Sequence, residues 1–451
     1  MKGILITLLP AIASAQTGQL DLTNLHDYAG QTVPAYITKD NTPNTNLITN
    51  IGATLGRVLF YDKALSKDSS ISCASCHKQE DAFGDTDLAS IGVEGFTGRH
   101  SMRLINTRFA DEENFFWDER ASSLEEQTTQ PIRDHIEMGF SGENGDPDFE
   151  ELITRLSEME RYQVLFTAAY GNPLITEERV QKSLAQFIRS IQSFDSKYDQ
   201  GRALAVNDNA NFANFTAEEN LGKTLFNQNV AQGGAGCASC HQPPEFDIDD
   251  NSGNNGVIDS LDGGIDFTNT RSPTLRDLVN SEGTPHGGFM HNAAFDNLLA
   301  VVDHYDEIPA VVTGIDNRLT TGRRNPEPQS LNLSDADKNA LVAFMETLTG
   351  KDVYTNERWA TPFDTEDNLS LIILPDNQIT LTPTIENGVE MISLTCPGVP
   401  NVVYQLKTSN DLENWSNPID IKASVDGIIR YRQTVTQNRS FYQLSYTTTS
   451  E

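Results

Sequence analysis

The sequence predicts a mainly α-helical chain built from two related helical units and finished by a small β-sandwich. Three observations carry that prediction. The pentapeptide Cys-Ala-Ser-Cys-His occurs twice, at Cys73–His77 and at Cys237–His241. A similar helix-forming run precedes each copy at nearly the same distance: Leu55-Gly56-Arg57-Val58-Leu59-Phe60 before the first, Leu221-Gly222-Lys223-Thr224-Leu225-Phe226 before the second. After about Phe363 the composition shifts to short alternating runs rich in Thr, Tyr and Ile, separated by turn residues.

The elements can be justified in order. Lys2, the apolar run Gly3 to Ile12 and the small-x-small pattern Ala13-Ser14-Ala15 read as a secretory signal peptide cleaved before Gln16, too short to span a bilayer. No later stretch is long and apolar enough to cross a membrane, so the mature chain is expected in the periplasm. Asp148–Tyr170 shows helical periodicity. So does Thr176–Phe194, where Val180, Leu184, Phe187, Ile188 and Ile191 fall on one face. Ser334 is placed to cap a helix running through Leu341, Phe344, Met345 and Leu348 and stopping at Gly350. Val403–Lys407 alternates as a strand, with turns at Asn410-Asp411 and Asp426-Gly427. The sandwich lacks a cluster of His, Asp or Glu, and a structural or attachment role is its default. The expected boundaries are 1–15 for the signal, 16–205 and 206–363 for the two helical units, and 364–451 for the sandwich.

The duplicated pentapeptide carries the chemistry. C-x-x-C-H is the attachment pattern of c-type haem: Cys73 and Cys76, or Cys237 and Cys240, add to the haem vinyl groups, and His77 or His241 ligates the iron. A bare C-x-x-C also suits a thioredoxin-like redox pair or half a zinc site. Neither needs the trailing histidine, and neither would repeat it. Four unpaired cysteines in an oxidising compartment would otherwise invite disulfides. Cys396 is left over and reads as a small buried residue.

The net charge of −32 argues against nucleic acid or anionic membrane partners. It is compatible with steering a basic electron donor, and equally with plain solubility. In the acidic loop Asp247–Asp266, Asp247, Asp249 and Asn251 match the first EF-hand ligands, but Ser252 replaces the required glycine and Ile258 the bidentate glutamate. A solvated loop is the better reading.

With these residues in hand, the chain resembles the bacterial di-haem cytochrome c peroxidases, MauG-like members included, from about Leu55 to Gly350. The supporting motifs are LGRVLF, Phe116-Trp117-Asp118-Glu119-Arg120, Leu124-Glu125-Glu126-Gln127, Ile136-Glu137-Met138-Gly139, Arg271-Ser272-Pro273-Thr274-Leu275-Arg276 and Phe289-Met290-His291. The resemblance implies a mainly α fold class, with two cytochrome c-like haem domains ahead of the sandwich. It also implies two covalent haem c groups. His77 would ligate the peroxide-reactive haem, and His241 the electron-transferring one. Glu137 matches the distal proton-moving glutamate, Gln127 its pocket neighbour and Trp117 a tryptophan between the haems. Arg271 is assigned to cofactor binding. Acid–base help from such a carboxylate is worth on the order of 10²–10⁴ in rate.

Two departures matter. The long-known peroxidases of that family carry a removable histidine above the reactive haem. Here the loop Ser90-Ile91-Gly92-Val93-Glu94-Gly95 puts Val93 there. Valine cannot ligate iron, so an open sixth position is expected; His100, a few residues on, is the lesser alternative to a vacant site. In the family an asparagine at the His100 register binds an interdomain calcium, which leaves calcium open here. A methionine normally follows the FMH histidine by fourteen positions and caps the second iron, but the count from His291 lands on Tyr305, beside His304. On a helix Tyr305 joins the stripe of Leu298, Val301 and Val302, while His304 points about 100° away. Tyr305 is therefore the better candidate ligand. Axial ligands tune haem potential over roughly 0.8 V, and tyrosinate would lower it. MauG-like members show this tyrosine pattern and oxidise a protein substrate through high-valent iron.

The expectation is a periplasmic di-haem peroxidase that reduces hydrogen peroxide at the His77 haem. Its electrons would come from a cytochrome c or copper protein through the His241 haem. A MauG-like oxidase of a partner protein and a non-catalytic di-haem carrier are the rivals. A homodimer is the candidate assembly, with no nucleic acid and no membrane as partners.

Overall fold

Both repeated helices form, and in each a glycine lets a later helix press against the backbone. The computed structural model describes residues 17–111, 114–247, 252–309, 314–321, 327–374, 378–435 and 440–446; the expected signal peptide lies outside them. In chain order come β1 (Gln19–Asp21), α1 (Asn50–Tyr61), the one-turn α2 (Cys73–Cys76) and the hairpin β2 (Ile91–Gly92) and β3 (Gly95–Phe96). Next are α3 (Leu124–Arg133), α4 (Phe149–Ser157), α5 (Glu160–Tyr170), α6 (Glu177–Ser190), α7 (Lys197–Arg202) and α8 (Ala217–Asn227). Then follow α9 (Leu298–Asp306), the pair β4 (Thr320–Thr321) and β5 (Glu327–Pro328), α10 (Asp335–Glu346) and β6 (Ser370–Ile372).

The repeat is visible in packing. A Cβ on Gly56 of α1 would lie 1.9 Å from the Ser183 oxygen of α6, and one on Gly222 of α8 would lie 1.8 Å from the Ala340 oxygen of α10. One turn along, Phe60 meets Phe187 and Phe226 meets Phe344, both with ring centroids 5.2 Å apart. Only a residue without a side chain permits such backbone approach, so the Leu-Gly run is a helix-crossing signature. The later helices start at side-chain caps. The Thr176 hydroxyl accepts from the Arg179 N–H, and Ser334 forms a capping box with Asp337.

Two expectations need correction. Asp148–Tyr170 divides into α4 and α5, because Met159 is extended (φ −88°, ψ 116°). The break lets Leu152 and Leu156 of α4 and Tyr162, Leu165 and Phe166 of α5 bury into one core along different axes. The helix from Thr176 stops at Ser190. Ile191 turns extended, and its carbonyl accepts from the Asn106 N–H at 2.9 Å.

Two cores result. One joins α1, α3, α4, α5 and α6, and the other joins Tyr198 of α7 with α8, α9 and α10. The C-terminal segment contributes two three-stranded antiparallel sheets. One has the order β11 (Ile428–Thr434), β8 (Val389–Pro397), β7 (Thr380–Glu386); the other has the order β10 (Ile419–Lys422), β9 (Val403–Ser409), β12 (Phe441–Ser445). Cys396 is buried there with Leu394, Tyr404, Leu406 and Ile429, in continuity with the first core. The segment between α10 and these sheets wraps back onto the first unit: Trp359 Nε1 donates to the Ser190 carbonyl at 3.1 Å, and Tyr61 Oη to the Trp359 carbonyl at 2.7 Å. β6 pairs in parallel with β1, tying Gln19–Asp21 to Ser370–Ile372.

Candidate functional site

The two pentapeptides end in matching loops. His77 Nδ1 lies 3.1 Å from the Phe83 carbonyl oxygen, and Lys78 N–H donates to Gly84 at 2.8 Å. In the second copy Gln242 N–H donates to Asp247 at 3.0 Å, and Phe246 takes the place of Phe83. Both phenylalanines sit in the left-handed region, at φ 58° and 60°, so each loop turns back beneath its histidine. His241 Nδ1 is buried without a hydrogen bond. Burial holds both imidazoles below their ordinary range, His241 at about 4, so each is neutral and able to ligate a metal. None of the five cysteines is joined in a disulfide. Burial pushes the Cys73 and Cys237 thiols up to about 12 and Cys76 to about 11.

Cys73, Cys76 and His77 open into a cavity of about 780 Å³, and Cys237, Cys240 and His241 into one of about 480 Å³. A haem c at each motif fits these residues: two thiols, a neutral imidazole and a walled cavity large enough for a macrocycle.

One face of α3 lines the first cavity through Leu124, Gln127, Thr128 and Pro131, a spacing of three and four residues. The helix stops at Asp134, whose carboxylate accepts the N–H groups of Ile136 (2.8 Å) and Glu137 (3.0 Å). That turn places Glu137 on the cavity wall facing the same space as His77 and Gln127. Burial, reinforced by the Asp134 carboxylate and opposed by the Arg120 guanidinium, pushes Glu137 up to about 7. The β2–β3 hairpin docks on the same turn: Val93 N–H donates to the Glu137 carbonyl at 3.0 Å, and Glu94 N–H to Ile136 at 3.2 Å. A Cβ on Gly92 would come within 2.0 Å of the Ile136 oxygen, so glycine lets the hairpin lie flat there.

Trp117 and Arg271 stand on the wall between the cavities, lining both. Trp117 Nε1 donates to the His100 carbonyl at 2.8 Å, and its own carbonyl accepts from Thr270 (2.9 Å) and Arg271 (3.1 Å). The Arg271 guanidinium donates to the Asn114 carbonyl and lies over the Phe115 ring. His100 also lines both cavities, with Nδ1 3.0 Å from the Asp87 carbonyl.

In the second cavity Tyr305 faces the space of His241, while His304 lies off the lining. His304 Nε2 is 2.9 Å from the Asn255 carbonyl oxygen. The Asn255 carboxamide nitrogen reaches Tyr305 Oη at 3.3 Å and Met290 Sδ at 3.1 Å. Asn255 thus ties down three side chains able to ligate iron, and sequence reasoning missed it: a lone Asn in an acidic loop carries no periodic signal. Asp134 was missed as well, although an Asp three residues before Glu137 at a helix end is a recognisable turn. No cluster of three or more His, Cys, Asp or Glu able to hold a metal ion occurs among the described residues. Asp247 of the EF-hand-like stretch pairs with Lys39 at 3.0 Å; Asp249 and Asn251 lie outside the described residues.

The family model described as di-haem cytochrome c peroxidase matches residues 51–205. The methylamine utilization protein MauG of Methylorubrum extorquens is 30% identical over 323 residues, 68% of this chain and 80% of that protein. The cytochrome-c peroxidase IdrP1 of a Pseudomonas species is 26% identical over 381 residues, 76% of this chain and 91% of its own. Among solved structures, a MauG-like protein associated with microbial copper homeostasis superposes with a TM-score of 0.58 at 26% identity, covering 73% of this chain and 98% of that one. On that similarity and the duplicated C-x-x-C-H cavities, the chain belongs to the di-haem cytochrome c peroxidase family, which includes MauG.

Proposed function

We propose that the chain is an exported, periplasmic di-haem peroxidase that reduces hydrogen peroxide in the His77 cavity, with electrons entering through the His241 cavity. One observation carries the reading. Glu137, a carboxyl with its midpoint raised to about 7, lines the same cavity as His77 and Gln127. Covalent haem at Cys73/Cys76 and Cys237/Cys240 would supply the iron that binds peroxide and the redox equivalents that cleave it. Peroxide cleavage to water needs a proton taken from one oxygen and given to the other, and a group titrating near neutrality serves both directions. Gln127 would orient the oxidant through its carboxamide. Trp117, bordering both cavities, would lie on the electron path. Two cytochrome c-like domains and a C-terminal β-sandwich are the domain reading that goes with this function.

A second reading, oxidation of a partner protein in the manner of MauG, is favoured by one observation. Tyr305, not a methionine, faces His241 from the helical stripe of α9. Turnover separates the two. Rapid peroxide consumption with reduced cytochrome c or a copper protein, one high-spin and one low-spin EPR signal, and loss of turnover in Glu137→Gln would support the peroxidase. Failure with every small donor would overturn it in favour of the partner-protein oxidase, and two low-spin signals would favour a carrier.

A further inference from the structure

The wall shared by the two cavities contains a cation that the proposed reaction does not use. Arg103 lines both cavities together with His100, Ser101, Met102, Trp117 and Arg271. Its side chain is half-buried and borders both cavities. Its Nε is buried with no hydrogen-bond partner, and among the described residues no carboxylate forms an ion pair with it. Burial pulls the guanidinium down to about 10, although Asp277 and Tyr354 push the other way. Tyr354 Oη and the Gly350 N–H already bond to Asp277 Oδ1, each at 2.7 Å.

Arg103 is also held in place. A Cβ on Gly84 would lie 2.9 Å from Arg103 Cγ, so the arginine stem runs along the loop that follows His77. The adjoining Leu104 N–H donates to the Phe83 carbonyl at 3.2 Å, the same oxygen that faces His77 Nδ1. A cation held at a cavity wall with no carboxylate ion-paired to it is stabilised by an anion that enters the cavity. Its site therefore calls for carboxylates supplied by whatever fills the cavities.

Resting on the di-haem reading above, we propose that Arg103 is a shared counter-ion for the two cofactors. Its guanidinium would pair with the propionate carboxylates of both haems and hold both reduction potentials up. The sign follows from electrostatics. Taking up an electron removes one positive charge from an iron centre, and a fixed cation nearby favours that uptake. Because Arg103 borders both cavities, its removal acts on both centres. That separates it from Tyr305, which acts on the second alone.

The test is a redox titration of the purified holoprotein and its Arg103→Leu, Arg103→Gln and Arg103→Lys variants, each checked for two haems by pyridine haemochrome. The expected result is a fall of both midpoint potentials in Arg103→Leu and Arg103→Gln, with recovery in Arg103→Lys, which keeps the charge. Unchanged potentials in fully loaded Arg103→Gln would overturn the proposal. So would a fall confined to one haem, or an Arg103→Lys variant as low as Arg103→Gln. A wild-type protein without two haems would overturn the di-haem reading itself, a distinct result seen before any variant is made.

Discussion

Gly56 of α1 lies so close to Ser183 of α6 that a Cβ would approach the Ser183 carbonyl oxygen to 1.9 Å. Gly222 repeats the contact with Ala340 in the second unit at 1.8 Å. Gly56→Ala and Gly222→Ala are each expected to cost about 1–3 kcal/mol through forced helix separation. Thermal or urea unfolding measures the loss. The two changes lie in separate cores and should add within a few tenths of a kcal/mol; strong non-additivity would contradict the two-core arrangement.

Glu137 makes a pH prediction with a definite sign. Its midpoint is raised to about 7 from an ordinary 4.5, so the folded chain keeps a proton that the unfolded chain releases. The wild type therefore loses stability relative to Glu137→Gln as pH rises from about 4.5 to about 7, and the difference levels off above that. In activity, the substitution should lower peroxide turnover on the order of 10²–10⁴ and remove a pH inflection near 7. Denaturation across the pH range and a pH–rate profile check the two halves. An inflection that survives in Glu137→Gln belongs to another group.

Tyr305 and Asn255 make a spectroscopic prediction. Asn255 engages His304 through its backbone oxygen and Tyr305 and Met290 through its carboxamide. Tyr305→Met should raise the potential of the second haem, since a thioether ligand raises it, and should leave the first unchanged. Redox titration followed by EPR decides it, and an unmoved second potential removes Tyr305 as the ligand.

Much of the site was legible because its chemistry is local. The repeated C-x-x-C-H needs only adjacent residues, and the α9 stripe that singled out Tyr305 over His304 is a helical periodicity realised in Leu298–Asp306. The cap at Ser334 was likewise readable. The break at Met159 was not. Apolar spacing continues on either side of it, and only packing against α1 and α6 decides that the axis must turn.

By itself, then, the sequence determined the two attachment loops, the glycine-marked helices that precede them, the strand-rich end and the residue types offered to a cofactor. The tertiary structure alone decided which distant residues share a space. It put Glu137 with His77, Trp117 with Arg271, β1 with β6, and the unpaired Arg103 on the wall between two cavities. The reason is physical. Periodicity and capping report interactions within a few residues, whereas burial of a charge or closure of a cavity depends on segments hundreds of positions apart meeting in one core.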